Sequence, residues 1–256
     1  MVGLLALCYH DVVPEGGTEE SGFRGPDAAT YKVSLARFSE HLRALGRCGE
    51  KNRFRILLTF DDGGSGSSHA ADELERAGHR GYFFITTGLI GRPGFLNASQ
   101  IADLHARGHI IGSHGASHRG RMNRMPEEAL VREWSDSARA LSSIVSSAIL
   151  TGSVPSGFYS PRVARAAAAA GIRQLFTLQP TTRTVETFGC EVLGRFTVRS
   201  WSPASRVEAL ALGHLRPRLE EALSWRFRQL LKTVGGNAYT GFRRSFFERY
   251  FPAPLR

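Results

Sequence analysis

Short apolar runs alternate with helix-like segments along most of this chain, and this alternation restricts its fold more than any other feature. Strands that alternate with helices form a parallel sheet covered by helices. The sequence therefore predicts an α/β fold, a single distorted (β/α) barrel of about seven parallel strands. An open doubly wound sheet is the alternative. The predicted strands span residues 2–9, 54–60, 81–86, 109–112, 148–151, 172–177 and 191–198.

The chain's length of 256 residues, with 42% hydrophobic content, suits one large core. We predict that the barrel spans residues 1–200 and that residues 201–256 form a basic helical C-terminal extension. From residue 195 onward, 12 Lys and Arg residues stand against 4 Asp and Glu residues. This charge favours peripheral contact with an anionic membrane or polysaccharide, or a solvated helix face. No nucleic-acid module accompanies it, so we predict no nucleic-acid partner.

The cysteines and the first residues indicate the compartment. Cys8, Cys48 and Cys190 are odd in number and widely separated, which favours free thiols in a reducing environment. The apolar start runs directly into His10 without a cleavage site, so it predicts a buried strand rather than a signal peptide. We therefore expect a cytoplasmic protein, with membrane association through the basic extension.

The sequence TFDDG at residues 59–63 places two adjacent carboxylates, Asp61 and Asp62, at the end of a predicted strand. Neighbouring side chains point to opposite faces of a strand, but beyond the strand's end both can face one pocket. One carboxylate could then bind a metal while the other accepts a proton from water. A simple turn followed by a helix cap is the alternative.

The sequence HGASH at residues 114–118 follows another predicted strand and spaces His114 and His118 four residues apart. Imidazoles at this spacing on a helical turn can share one cation. The alternative is a polar loop with two surface histidines. Together with one carboxylate of the first motif, however, the pair would form a three-ligand site with open positions, which is typical of a catalytic metal, and the other carboxylate would be left as a base.

These two motifs, with LCYH at residues 7–10, resemble those of the polysaccharide deacetylase family of carbohydrate esterases. The resemblance covers roughly residues 1–200. It implies a distorted (β/α) barrel that hydrolyses N-acetyl groups on the amino sugars of an acetylated glycan. It also implies a divalent metal, with zinc expected, bound by Asp62, His114 and His118. By the same resemblance, Asp61 matches the position of the family's general base.

Three departures from the family pattern affect the predicted site. Gly115 stands where a hydroxyl residue is usual, so a supporting hydroxyl hydrogen bond is absent or is supplied by Ser113 or Ser117. The family's third motif usually joins Arg, Pro and an aromatic residue, whereas the region 154–162 resembles a variant with Pro, Gly and Tyr, in which the backbone N–H of Tyr159 would face the oxyanion. The late histidine that serves as general acid is missing, and His10, at the end of the first strand, is our candidate for a substitute acid or substrate contact, with a core or loop histidine as the alternative.

The leading functional hypothesis is therefore a metal-dependent deacetylase acting on amino sugars of a polysaccharide or glycan. A carbohydrate-binding relative that has lost turnover is the first alternative, because the expected acid is missing. A metal-dependent amidase that acts on a small non-sugar amide is the second.

Overall fold

A computed structural model describes residues 3–234 of the chain. The strands are β1 (Gly3–Tyr9), β2 (Asp11–Val13), β3 (Lys32–Ser34), β4 (Phe54–Phe60), β5 (Gly81–Ile85), β6 (Ile110–Ser113), β7 (Thr151–Ser153), β8 (Gln174–Phe176), β9 (Thr184–Thr187), β10 (Cys190–Leu193) and β11 (Arg195–Thr197). The α-helices are α1 (Pro26–Ala29), α2 (Leu35–Cys48), α3 (Ser67–Arg76), α4 (Ala98–Ala106), α5 (Glu127–Val145), α6 (Pro161–Ala169), α7 (Ala204–Ala211) and α8 (Leu215–Val234).

The main sheet has the strand order β11-β1-β4-β5-β6-β7-β8-β10-β9. Every neighbouring pair is parallel except β9 and β10, which form an antiparallel hairpin. β2 and β3 form a separate parallel pair beside the sheet. Each predicted strand is found, with bounds within a few residues of those expected. The short strands β2, β3 and β9 were not predicted, because three or four residues carry too little pattern.

One chain segment closes the barrel. β10 pairs with β8, and β11, which follows after Gly194, pairs with β1 at the opposite edge. Residues 190–197 therefore join both edges and count as the seventh parallel strand. Gly194 is required at the junction, since a Cβ there would lie 2.2 Å from the carbonyl oxygen of Gln179. The predicted barrel of about seven parallel strands is confirmed.

Alternation along the strands sorts side chains between two apolar clusters. Leu5 and Leu7 of β1 point outward into the main core under the helices. Ala6 lies between them and points inward, where it meets Phe84 and Phe176 in a small cluster inside the barrel. Side chains two residues apart share a face of the strand. Polar residues that continue the inward-facing series beyond the carboxyl end of a strand therefore lie at that end of the barrel.

The described part of the C-terminal extension lies against the barrel. α7 packs on α2, and α8 packs on α7 and β11. Residues 235–256 of the predicted extension lie outside the described residues, and the predicted boundary at residue 200 stays a prediction. None of the helices between residues 3 and 234 has both the length and the apolar character to cross a lipid bilayer.

Candidate active site

The end of β4 turns two consecutive carboxylates into one cavity. Thr59 has the inward parity of the strand, and Asp61 continues it beyond the last residue of β4. Asp62 adopts a left-handed backbone conformation with φ of 76°, which breaks the strand's alternation. Both carboxylates consequently line the same cavity and are largely buried. The structure thus brings Asp61 and Asp62 together as the sequence predicted.

Asp62 lies between the two predicted histidines. Its Oδ1 is 3.3 Å from Nε2 of His114 and 3.2 Å from Nε2 of His118. Asp62 Oδ1 is buried and has no well-aligned hydrogen bond within the described residues. Burial opposes its ionisation, but the neighbouring imidazoles hold the pKa of Asp62 well below its ordinary value. Burial likewise lowers the pKa of His118, yet the Asp62 carboxylate more than offsets this and raises it.

Backbone and side-chain contacts orient both imidazoles. His114 Nδ1 donates to the carbonyl oxygen of Ser153 at 2.9 Å, because a carbonyl can only accept. In the neutral imidazole, Nε2 would therefore carry the lone pair, on the side that faces Asp62. The backbone N–H and the hydroxyl of Ser117, next to His118, donate to the buried carboxylate of Glu133. His118 itself has a φ of 54°.

Gly115 is explained by the same contacts. Its N–H donates to Ser113 Oγ at 3.1 Å, and Ser113 donates to Ser137. Ser113 and Ser117 thus supply the hydroxyl contacts that the sequence left open. A Cβ at position 115 would lie 2.9 Å from Oε1 of Glu133, and its φ of 77° also suits glycine.

These three side chains fit a divalent cation. A carboxylate oxygen and two imidazole nitrogens, from Asp62, His114 and His118, lie within 4.8 Å of one another. A carboxylate and two neutral imidazoles are donors that zinc and related ions accept, with positions left for water and substrate. The orphaned oxygen of Asp62 and the fixed tautomer of His114 are the observations that such an ion would explain.

Asp61 has a different partner, which the sequence did not reveal. Arg195 of β11 is fully buried and donates to both oxygens of Asp61, at 2.7 and 2.8 Å. Its other N–H groups donate to the side chains of Thr59 and Ser153 and to the carbonyl of Thr177, so all five donors are satisfied. The guanidinium also faces the rings of Phe84 and Phe176.

The pair fixes the protonation state of Asp61. Burial alone would raise the pKa of this carboxyl, but the Arg195 guanidinium lowers it to about 2. Asp61 is therefore ionised at any pH at which the protein works. An arginine within an otherwise apolar strand is a signal for a buried partner, since charged residues are rarely fully buried unless paired. The sequence alone could not identify that partner.

His10 lies at the same cavity. A ring nitrogen of His10, an oxygen of Asp61 and the sulfur of Cys8 lie within 4.8 Å of one another. The ring of His10 contacts that of Tyr31, with centroids 4.7 Å apart. Its Nδ1 is buried and has no hydrogen-bond partner among the described residues. Burial lowers the pKa of His10, so it is neutral near pH 7 in the free protein.

Tyr159 lies beside the cavity rather than on its wall. Ser156 and Phe158 of the preceding loop line the cavity, whereas Tyr159 packs against the main core. The role predicted for the backbone N–H of Tyr159 stays a prediction. Arg162 belongs to α6 and pairs with Glu127 at 3.2 Å on the surface.

The cavity above these groups has a volume of about 510 Å³. Its floor holds the two aspartates and the three histidines. Its walls come from the loop after β1, the loop after β6 and helix α8, which contributes Trp225, Arg228 and Gln229. Sequence reasoning placed α8 in the extension and missed this role, because helical spacing does not say where a helix docks. Asp11, also on the wall, is buried, and burial raises its pKa to about 7.

A parallel (β/α) barrel with its polar groups at the carboxyl ends of the strands belongs to the class of barrel proteins whose ligands bind at that end. Residues 49–175 match the family model of polysaccharide deacetylase, so the chain contains a polysaccharide deacetylase domain. The family predicted from the motifs is confirmed. His10, Arg195 and α8 lie outside the matched range. No curated protein sequence matches the chain significantly.

Several solved structures share this fold. IcaB from Ammonifex degensii is 23% identical, with a TM-score of 0.66 over 83% of this chain and 98% of its own. The deacetylase PplD from Streptococcus pyogenes, solved with acetate, is 18% identical, with a TM-score of 0.66 over 80% and 96%. A polysaccharide deacetylase from Bacillus cereus is 18% identical, with a TM-score of 0.65 over 82% and 69%. At these identities the likeness establishes the shared fold.

Proposed function

We propose that this chain is a metal-dependent hydrolase that removes N-acetyl groups from amino sugars of a polysaccharide or glycan. The observation that carries the proposal is the orphaned Asp62 oxygen between two imidazoles, next to an ionised Asp61 at the floor of an open cavity. Asp62, His114 and His118 would hold a divalent ion, for which we propose zinc. The polysaccharide deacetylase domain supports the substrate class.

The cation, when bound, would supply a Lewis acid that polarises the acyl carbonyl and acidifies the attacking water. Asp61 is held ionised by Arg195, so it can accept a proton from that water. The water oxygen bonds to the carbonyl carbon, the carbon–nitrogen bond breaks, and acetate and a free sugar amine are released. The rigid contacts of Arg195 keep Asp61 in position during this proton transfer.

We assign to His10 the delivery of a proton to the leaving amine. Its nitrogen lies within 4.8 Å of an Asp61 oxygen, so a proton taken up by Asp61 can reach His10 through one bridging water. His10 is neutral in the free protein and must gain this proton during turnover. Its unpartnered Nδ1 leaves one ring nitrogen available for the substrate.

The direct test is acetate release from N-acetylglucosamine oligomers by purified protein with zinc. We expect turnover that stops in the presence of a chelator and returns when zinc is restored. His10→Gln should bind zinc as the wild type does and release acetate at least about 100-fold more slowly, the contribution typical of a general acid. An unchanged rate in His10→Gln would remove the role assigned to His10.

The same assay separates the alternatives. Stoichiometric zinc and glycan binding without any acetate would identify a carbohydrate-binding relative that has lost turnover. Acetate release from small amides such as N-acetylated amines, but from none of the glycans, would identify an amidase. Either result would overturn the proposed activity while leaving the metal site intact.

We also propose a cytoplasmic protein that contacts an anionic membrane surface through α8. The proposal is supported by the free, buried state of the three cysteines and by one face of α8. Five large apolar side chains recur there every three or four residues and are 49–68% exposed. They are Leu215, Leu219, Leu223, Phe227 and Leu230. Exposed arginines beside this stripe would complement anionic headgroups.

Sedimentation with phosphatidylserine vesicles tests the membrane proposal. We expect binding that weakens with salt, is absent with neutral phosphatidylcholine vesicles, and is lost in the double variant Leu219→Ser, Leu223→Ser. If the wild type instead forms a dimer in solution that this double variant dissociates, the stripe is an interface between copies and the membrane proposal fails.

A further inference from the structure

The inner face of α8 carries a surplus of positive charge at the cavity wall. Glu221 is buried and accepts from Arg199, Arg206 and Arg228 at 3.0–3.5 Å. Arg206 and Arg216 also pair with Glu220. Four arginines therefore share two carboxylates. An ion-pair network that served only to attach the helix would not need two cations beyond the number of its carboxylates, which is the surplus found within residues 3–234.

Two of these arginines reach the substrate cavity. Arg199 and Arg228 line it, and their side chains are only 12% and 21% exposed. Partly buried cations in surplus are poorly solvated, which raises their affinity for an anion. Arg24 and Arg121 line the same cavity, as do the carboxylates of Asp11 and Asp27.

A third group, on α8 like Arg228, lacks a hydrogen-bond partner within the described part of the chain. Trp225 lines the cavity between these residues, and its indole Nε1 is buried without a hydrogen-bond acceptor in residues 3–234. Leaving such a buried donor unsatisfied is unfavourable. An oxygen of a ligand in the cavity would accept from it. The orphaned donor and the surplus cations thus independently indicate an oxygen-rich, negatively charged ligand.

We propose that α8 and the segment after β11 form an anion subsite, in which Arg228 and Trp225 of the helix and Arg199 of the segment bind a carboxylate or phosphate carried by the amino-sugar substrate. This subsite depends on the proposed function in one respect only, namely that the bound molecule is an amino sugar from which an acetyl group is removed. The subsite would make α8 the element that selects a charged glycan over a neutral one. It lies outside the region that matches the family model, so the specificity belongs to this chain's own C-terminal helix.

Calorimetric titration of the chelator-treated full chain tests the subsite without turnover. The probes are chitotetraose and a tetrasaccharide in which N-acetylglucosamine alternates with glucuronic acid. At low salt we expect the acidic tetrasaccharide to bind at least about 10-fold more tightly, the gain expected of one charge-assisted contact. A second comparison, between the affinities of N-acetylglucosamine 1-phosphate and N-acetylglucosamine, shows whether a phosphate can bind in place of the carboxylate. Equal affinity for charged and neutral members of both pairs would overturn the proposal.

Matched variants locate the effect on α8. Arg228→Gln should reduce the ratio of acidic to neutral affinity about 10-fold, whereas Arg226→Gln, on the exposed face of the same helix, should keep the wild-type ratio. Equal effects of the two substitutions would show a general charge effect and overturn the subsite. Trp225→Phe keeps the ring but removes the N–H, and should weaken binding of the acidic probe about threefold to tenfold.

The outcome is separable from the proposed activity. Acetate release from chitotetraose with zinc reports the deacetylase function, and the affinity ratio reports the subsite. A wild-type ratio near one with normal acetate release removes the subsite alone. A high ratio that depends on Arg228, without acetate release, leaves the subsite standing and removes the proposed reaction.

Discussion

Asp61 and Asp62 are neighbours in the chain, but their carboxylates meet opposite surroundings. Asp61 has a permanent cation, because Arg195 donates to both of its oxygens inside the barrel. Asp62 faces two imidazoles, and one of its oxygens has no hydrogen bond among residues 3–234. The negative charge of Asp61 is neutralised by an arginine of the protein itself, whereas Asp62 is a candidate ligand for a bound cation.

The difference shows how one strand end can provide two chemical functions. The inward parity of β4 directs Asp61 to the barrel interior, where only a buried partner can stabilise its charge. The positive φ of Asp62 turns the next carboxylate toward the histidines of the loop after β6. A single residue of backbone thus separates a fixed ion pair from a candidate metal ligand.

Removing a ligand on the Asp62 side should have the largest effect. In His114→Ala we expect affinity for zinc to fall more than about 100-fold, beyond the 10–100-fold typical of outer-shell contacts, and acetate release to reach background. The unfolding free energy without metal should change much less. Metal analysis and chelator competition measure the affinity. His69→Ala, an exposed histidine of α3, is the control; equal metal content in the two variants would contradict the site.

Removing the cation on the Asp61 side should instead act mainly on stability. Arg195→Met leaves a buried carboxylate unpaired, so the unfolding free energy should fall by about 3–5 kcal/mol. Zinc affinity should stay within a few-fold, because the Asp62 site is separate. Urea denaturation measures the change. A second substitution, Asp61→Leu in the same chain, should recover much of the loss; no recovery would mean that Arg195 stabilises the barrel through its other contacts.

The pH dependence of stability sharpens the same contrast. The folded-state pKa of Asp61, about 2, lies below its ordinary value, so the pair's contribution is complete above about pH 4. It is lost as the pH falls through 2. The stability difference between wild type and Arg195→Met should therefore shrink by roughly 2 kcal/mol between pH 4 and pH 2. Denaturation at several pH values tests this; a constant difference would show that Asp61 does not titrate with the pair.

The sequence predicted the site residues that belong to local motifs. It could not predict the contacts that form only when the barrel closes. TFDDG and HGASH each follow a strand, and parallel strands bring their carboxyl ends to one edge, so His114 and His118 could be grouped in advance with one of the two carboxylates. The family resemblance indicated that this carboxylate is Asp62. Arg195 lies in the predicted seventh strand, but its partner is 134 residues away and meets it only because residues 190–197 close the barrel. The face that α8 presents to the cavity likewise depends on its docking.

The smallest expected effect concerns the support of His118. Glu133 of α5 is buried and accepts from the backbone N–H of Ser117 at 2.6 Å. Glu133→Gln keeps the shape but weakens this charge-assisted bond, so zinc affinity should fall roughly 10-fold, as expected of an outer-shell contact.

Glu128→Gln makes the same change at a position of α5 where the side chain is 90% exposed, so it is the matched control. Chelator competition compares the two variants. A Glu133→Gln protein that binds zinc as tightly as Glu128→Gln would show that the loop after β6 holds His118 without Glu133. The contrast between Asp61 and Asp62 would then rest on the backbone alone, because the left-handed conformations of Asp62 and His118 would suffice to align the ligands.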